Sequence, residues 1–227
     1  MDKVTYSDRI IYLFLLLSFG FWFLSPPLYG AEEPSIKGFL QTNYSTRITG
    51  VKLPGAKRQE LMLGEERGRL EGSFYPSKSK IGFDVKGDVS HDWVTDSWDV
   101  QLREGYMDYL MDKFDVRIGR QIVTWGVGDL LFINDVFPKD WEAFYSGRPL
   151  EYLKQGVDAG KLNFYTDLVS AEFIVIPHFT PHNLPSVGRF FFFDPYPNIM
   201  NREVEKPKTT FGNTEYALRL YRSLGGA

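Results

Sequence analysis

The stretch SKIGFDVKGDV, residues 79–89, sets Ile81, Phe83, Val85 and Val89 on odd positions and Lys80, Asp84, Lys86 and Asp88 on even ones. A strand turns successive side chains to opposite faces, so the segment has one apolar and one densely charged face. A helix would scatter both sets around its circumference. The alternation therefore commits the segment to β-structure between two unlike environments, and it recurs along the chain. In GFLQTNYSTRI, Leu40, Thr42, Tyr44 and Ile48 oppose Gln41, Asn43, Ser45 and Arg47. In LMLGEERGRLEGSFY, Met62, Leu70 and Phe74 oppose Glu65, Arg67, Arg69, Glu71 and Ser73, with Glu66 out of place on the apolar side.

The pattern is less clean further on. Leu162 and Phe164 oppose Lys161, Asn163 and Tyr165. Val169, Ala171, Phe173, Val175 and Phe179 oppose Ser170, Glu172 and His178, while Ile174 and Ile176 blur the split. Over 99–113, Met107, Tyr109 and Met111 follow one register and Val100 and Leu102 the other, which a β-bulge between them would reconcile. The predicted strands are 38–48, 60–74, 80–90, 99–111, 115–125, 157–166, 169–179 and 214–223, and no window beyond residue 31 has a convincing helical period. Short turns fall near 76–79, 113–115 and 167–169. Longer connections fall at 50–59, 91–98, 127–156 and 180–213, the last two long enough to suggest function.

Alternating strands suit a soluble sandwich with a polar exterior or a membrane barrel with an apolar exterior and a polar lumen. Strand length, charges of both signs on the polar face, and aromatics near strand ends (Tyr44, Phe74, Tyr75, Trp93, Trp98, Trp125, Tyr165) favour the barrel. The N-terminus agrees. Lys3 and Arg9 precede an uncharged run from Ile10 to Leu24, then Ser25-Pro26-Pro27 and the small residues Gly30-Ala31. That order reads as a secretory signal peptide over 1–30, the run being short of the ~20 residues of a membrane-spanning helix. The expectation is an all-β, antiparallel transmembrane barrel over 31–227 in the outer membrane of a Gram-negative bacterium. A net charge of -3 gives no basic footprint for nucleic acid, and the absence of cysteine removes thiolate chemistry and disulfides.

One stretch carries a resemblance. LREGYMDYLMDKFDVRIGRQIVTWGVGDLLFINDVFPKDW resembles a porin-like family of bacterial outer-membrane barrels of unassigned function, most clearly over 102–141. That family shares a strand pair ending in Gly-Arg-Gln-x-Val-x-Trp-Gly, followed by a loop with Asn or Asp and Pro. The resemblance implies a channel or transport barrel, loosely akin to alginate-export and substrate-diffusion porins, with outer-membrane lipid, the barrel-assembly machinery and an unknown solute as partners. Family members are longer, and the chain ends in SLGGA rather than on an aromatic residue, so the expectation is the N-terminal part of a larger barrel.

The chemistry expected is that of a passage, not of a catalyst. Glu65, Arg67, Arg69, Glu71, Lys80, Asp84, Lys86, Asp88, Arg117, Gln121 and Lys161 form opposed ladders on the polar face, and such side chains select solutes by charge and width. Asp129, Asp135, Asp140, Trp141, Glu142 and Arg148 belong to the 127–156 excursion, which would narrow a lumen if it folds inwards. No catalytic residue, cofactor or metal is expected. Ser146 lacks a Gly-x-Ser-x-Gly frame, and Trp125-Gly126-Val127-Gly128-Asp129 lacks the Lys-Ser/Thr of a phosphate loop. His178 and His182 are interrupted by Pro181. Alternatives are a structural barrel docking a periplasmic export or electron-transfer complex, an outer-membrane enzyme, and a secreted β-sandwich. The tetraphenylalanine run 190–193 is assigned to packing against the wall.

Overall fold

The computed structural model describes residues 34–48, 60–125, 135–185, 189–190 and 205–222. The expected signal peptide, Asp129 and residues 191–193 lie outside them. Eight strands follow in order: β1 (Ser35–Thr46), β2 (Leu61–Phe74), β3 (Ile81–Asp92), β4 (Ser97–Leu110), β5 (Phe114–Gln121), β6 (Val157–Phe164), β7 (Ser170–Ile176) and β8 (Glu215–Tyr221). Each pairs antiparallel with its chain neighbours, giving one sheet in the order β1 to β8. All eight expected strands are present. The sheet is open, because β1 and β8 do not pair with each other among the described residues, so barrel closure is not part of the observed fold. No helix of the described residues is long and apolar enough to cross a membrane.

Register sorts the side chains into two coherent faces. On one, Arg67 lies between Gln41 and Ser90, Arg69 between Phe39 and Asp88, and Glu71 between Lys37 and Lys86. The same face continues through Asp108 and Arg117 to Lys161. On the other, Phe74, Phe83, Met107, Ile118, Gly160, Val175 and Tyr216 stand in one row across seven strands. Burial is inverted relative to a soluble sheet: Arg69 is 5% exposed while Leu70 beside it is 60% exposed, and Asp88 is 2% exposed against 54% for Val85. The charged face is the covered one.

Four details differ from the sequence-based expectation or complete it. A bulge does interrupt β4: Lys86 faces Glu104 and Gly87 faces Leu102, leaving Arg103 as the extra residue. It returns Val100 and Leu102 to the apolar face with Met107 and Tyr109. The connection expected at 91–98 is only a four-residue turn, Trp93–Asp96, closed by the Val94 N–H on Asp92 Oδ1 at 2.9 Å with Asp96 at φ 54°. β5 stops at Gln121 and β7 at Ile176, short of the expected 125 and 179, and β5 begins one residue earlier than expected, at Phe114. A helix, α1 (Trp141–Ser146), occurs where none was expected, its six residues being too few for a period to register.

The sheet is therefore uneven. β2 and β4 have 14 residues each, whereas β5 and β6 have 8 and β7 and β8 have 7. The short turns β2–β3, β4–β5 and β6–β7 share one end, and the connections 122–156 and 177–214 leave from the other.

Candidate functional site

Residues 135–156, between β5 and β6, fold over the charged face. Asp140 starts α1, its Oδ1 accepting from the Ala143 N–H at 2.7 Å and from Asn183 Nδ2 at 2.9 Å. Gly147 ends the helix at φ 80°, a left-handed position that suits glycine. Arg148 and Pro149 then lead into a 3-10 turn, Leu150–Leu153. This brings Arg148, Glu151 and Tyr152 against β2, β3 and β4.

There they join a dense ion-pair network. Asp88 accepts from Arg69 Nε at 2.6 Å and Nη2 at 2.9 Å, and from Arg67 Nη1 at 2.9 Å. Arg67 Nε also donates to Glu65 at 2.9 Å, whose other oxygen accepts from Arg148 at 2.8 Å. Arg69 Nη1 reaches Glu151 at 2.5 Å. The Tyr152 ring lies beneath three guanidinium groups, with Arg67, Arg103 and Arg69 at 4.3, 4.8 and 4.9 Å from its centroid. Positive charge over an aromatic face is attractive, more so when water is excluded. Burial pushes the Tyr152 phenol up to about 12, although Arg67 pulls the other way. Arg189 fastens the outer end: it pairs with Asp92 and with Glu142 at 3.2 Å, and donates to the Met62 carbonyl at 2.9 Å.

A second cluster stands near the short-turn end. The Tyr75 hydroxyl lies between Asp84 and Asp108, and its ring rests where a side chain on Gly82 would otherwise project. Burial and the two carboxylates push its phenol well above the usual range. Arg117 forks onto Asp108 at 2.7 and 2.8 Å and stacks 3.8 Å above the Tyr106 ring. Gly119, at φ 128°, faces Tyr106, and its backbone lies so close to the Gly105 carbonyl that no Cβ fits.

The other end of the inward segment is held differently. Phe137 joins Val123, Val157, Ala159, Ile174 and Ile176 in a buried apolar cluster, with Trp125 and Ala217 against it. Ile174 and Ile176, which blurred the alternation, are inward-facing residues of this cluster. Lys139 is buried beside it, its Nζ 3.1 Å from Asp135 and 2.6 Å from the Phe137 carbonyl, and burial holds the ammonium below the usual lysine range. His182 Nδ1 accepts from the Lys139 N–H at 2.9 Å, and His178 Nδ1 lies 3.1 Å from Thr209 Oγ1.

No family model matches the chain, and no curated protein or solved structure is significantly similar to it. Its own geometry must carry the reading. Of the expected ladder residues, Glu65, Arg67, Arg69 and Asp88 come together in the central network. Lys86 lies 3.8 Å from Glu71 and 3.1 Å from Glu104. Asp84 and Arg117 belong to the Tyr75 cluster. Lys161 is half-buried without an ion-pair partner among the described residues. Gln121 is fully buried beside the apolar cluster, donating to the Ala159 carbonyl at 3.0 Å. Lys80 is exposed just before β3 and joins neither group. Of the excursion residues, Asp135 holds Lys139, Asp140 caps α1, Glu142 meets Arg189 and Arg148 meets Glu65. Trp141 lies edge-on to Phe144 at 6.0 Å between ring centroids.

Arg103, Asp108, Glu151, Tyr152 and Arg189 were not singled out from the sequence. Arg103 depends on a bulge, and the others on contacts distant in the chain, from 33 residues for Asp108 with Tyr75 to 127 for the Arg189 side chain with Met62. Arg120, which alternation leaves on the apolar face, donates to the Leu102 carbonyl beside the bulge at 2.7 Å and lies 3.4 Å from Asp158.

Proposed function

We propose that this chain forms part of an outer-membrane channel that passes a polar solute, with residues 135–155 acting as its constriction. The inverted burial carries this reading: leucines, valines and phenylalanines face outwards, and arginines, aspartates and glutamates face the covered side. In water such an exterior would be a large aggregation-prone surface. In lipid it is the favourable arrangement, with the polar row lining a lumen. The signal-peptide pattern and the resemblance of 102–141 to outer-membrane porin-like barrels point the same way. Unpaired strand edges are not tolerated in hydrocarbon, so β1 and β8 must both be paired in the inserted state.

Ion pairs join the wall to the inward segment, Arg148 with Glu65 and Arg69 with Glu151, which supports a segment held in place inside the lumen. Planar-bilayer conductance of the full-length protein, with and without residues 130–154, tests the proposal. Deletion is expected to raise the single-channel conductance. Identical currents would remove the constriction role, and no current from either protein would remove the channel itself.

A further inference from the structure

A cavity of about 300 Å³ lies between the charged faces of β2–β4 and the inward segment, with Arg67, Gln101, Arg103, Arg148 and Tyr152 in its lining. We infer that it binds a small carboxylate-bearing solute, with Arg103 receiving the carboxylate. The inference deepens the channel reading and rests on it for the route by which the solute arrives.

Arg103 differs from the other lining arginines. Arg67 and Arg148 are neutralised by Glu65, and Arg67 also by Asp88. Arg103 is 6% exposed and has no carboxylate partner among the described residues. Its Nη2 donates only to the Glu151 and Lys154 carbonyls, at 2.7 and 3.3 Å, and its Nε is buried without a hydrogen bond. Tyr152 lines the same cavity, and its hydroxyl is buried beside it without a partner. Asp88 and Glu151 attract the Arg103 charge without forming an ion pair with it, so its burial is only partly offset, and a buried donor without an acceptor is costly. A carboxylate satisfies both kinds of group, because its oxygens accept from a guanidinium and from a phenol.

The acids around the cavity are not free to bind a cation in the same way. Glu65 is held by two arginines, Asp92 and Glu142 by Arg189, and Asp140 by the α1 N-terminus and Asn183. Asp99 alone lacks a partner among the described residues, and it is exposed. The β4 bulge is what turns Arg103 inwards, as bulges do when they re-aim a side chain.

Calorimetric titration of the full-length protein in detergent, at constant ionic strength, tests the site with sodium lactate, lactamide and methylammonium chloride. Saturable binding is expected for lactate alone. Arg103→Gln is expected to weaken it about tenfold or more and Tyr152→Phe about threefold, as loss of a charged and a neutral hydrogen bond does. Arg103→Lys, which keeps the charge without the fork, should fall between wild type and Arg103→Gln, and Lys80→Gln, at an exposed position in neither cluster, should bind as wild type. Circular dichroism establishes that each variant is folded. No saturable lactate binding, equal binding of lactamide or methylammonium, or unchanged binding by folded Arg103→Gln would overturn the inference. Conductance of the same preparation separates the two proposals. Current without lactate binding removes the site and leaves the channel, while lactate binding without current leaves the site and removes the channel.

Discussion

The inward segment is attached at its two ends by opposite chemistries. Phe137 enters an apolar cluster built from β6, β7 and the residues after β5, whereas Arg148, Glu151 and Tyr152 enter an ion-pair network on β2–β4. The apolar attachment needs only matched volume, because dispersion and water exclusion have no directional requirement. The charged attachment needs every group to keep its partner, since removing one side strands the other in a dry site. The first fastens the segment to the shorter strands, and the second fixes what lies in front of the charged wall.

This difference can be broken by mutation. Asp88→Ala leaves Arg67 and Arg69 without their shared carboxylate, and is expected to cost about 3–5 kcal/mol. Ile174→Ala in the apolar cluster is expected to cost about 2–5 kcal/mol, depending on how far the cavity collapses. Denaturant midpoints in detergent would rank the two. The sharper readout is recovery: Asp88→Asn, which keeps an acceptor oxygen, should regain part of the loss, and Ile174→Val most of it. Equal midpoints for Asp88→Ala and wild type would show that the arginines are solvated and the network is not dry.

A smaller effect is expected at the short-turn end. Gly82→Ala must displace the Tyr75 ring from between Asp84 and Asp108, at about 1–3 kcal/mol of overpacking. Gly72→Ala, in open space, is the control. Equal losses from both would show that the Tyr75 position is not fixed.

The smallest expected effect is the pH response of the charged attachment. The Tyr152 phenol is raised to about 12 from an ordinary value of 10.0. Because the unfolded chain then loses its proton first, the contribution is complete below pH 10 and disappears as pH rises through about 12. Stability of wild type should fall across that window more steeply than that of Tyr152→Phe. Parallel profiles would place the phenol in contact with water.

What the sequence made legible follows the same division. All eight strands were readable, and so were the two faces of those with clean alternation, because Leu70 beside Arg69 or Val85 beside Asp84 is a local signal of period two. The β4 bulge was readable as a change of register, but not that Arg103 would be the residue it turns inwards. Ile174 and Ile176 looked like noise in a polar row until Phe137, distant in sequence, supplied the apolar surface they meet. Glu151 and Tyr152 gave no signal because their role comes from docking onto β2 and β4. The barrel expectation went further than the observed sheet, since alternation specifies two faces and does not specify closure.

The central claim is that the apolar face meets lipid and the charged face, where the inward segment leaves it uncovered, meets water. The chain has no cysteine, so single cysteines report cleanly. Cysteines placed at Leu70, Val85 and Leu218 on one face, and at Glu71, Lys86 and Arg219 on the other, can be labelled with an environment-sensitive fluorophore in vesicles containing brominated lipid. Quenching of the three apolar-face positions, with the charged-face positions quenched by iodide from water, is the expected result. Lipid quenching at the charged-face positions, or none at Leu70, Val85 and Leu218, would contradict it.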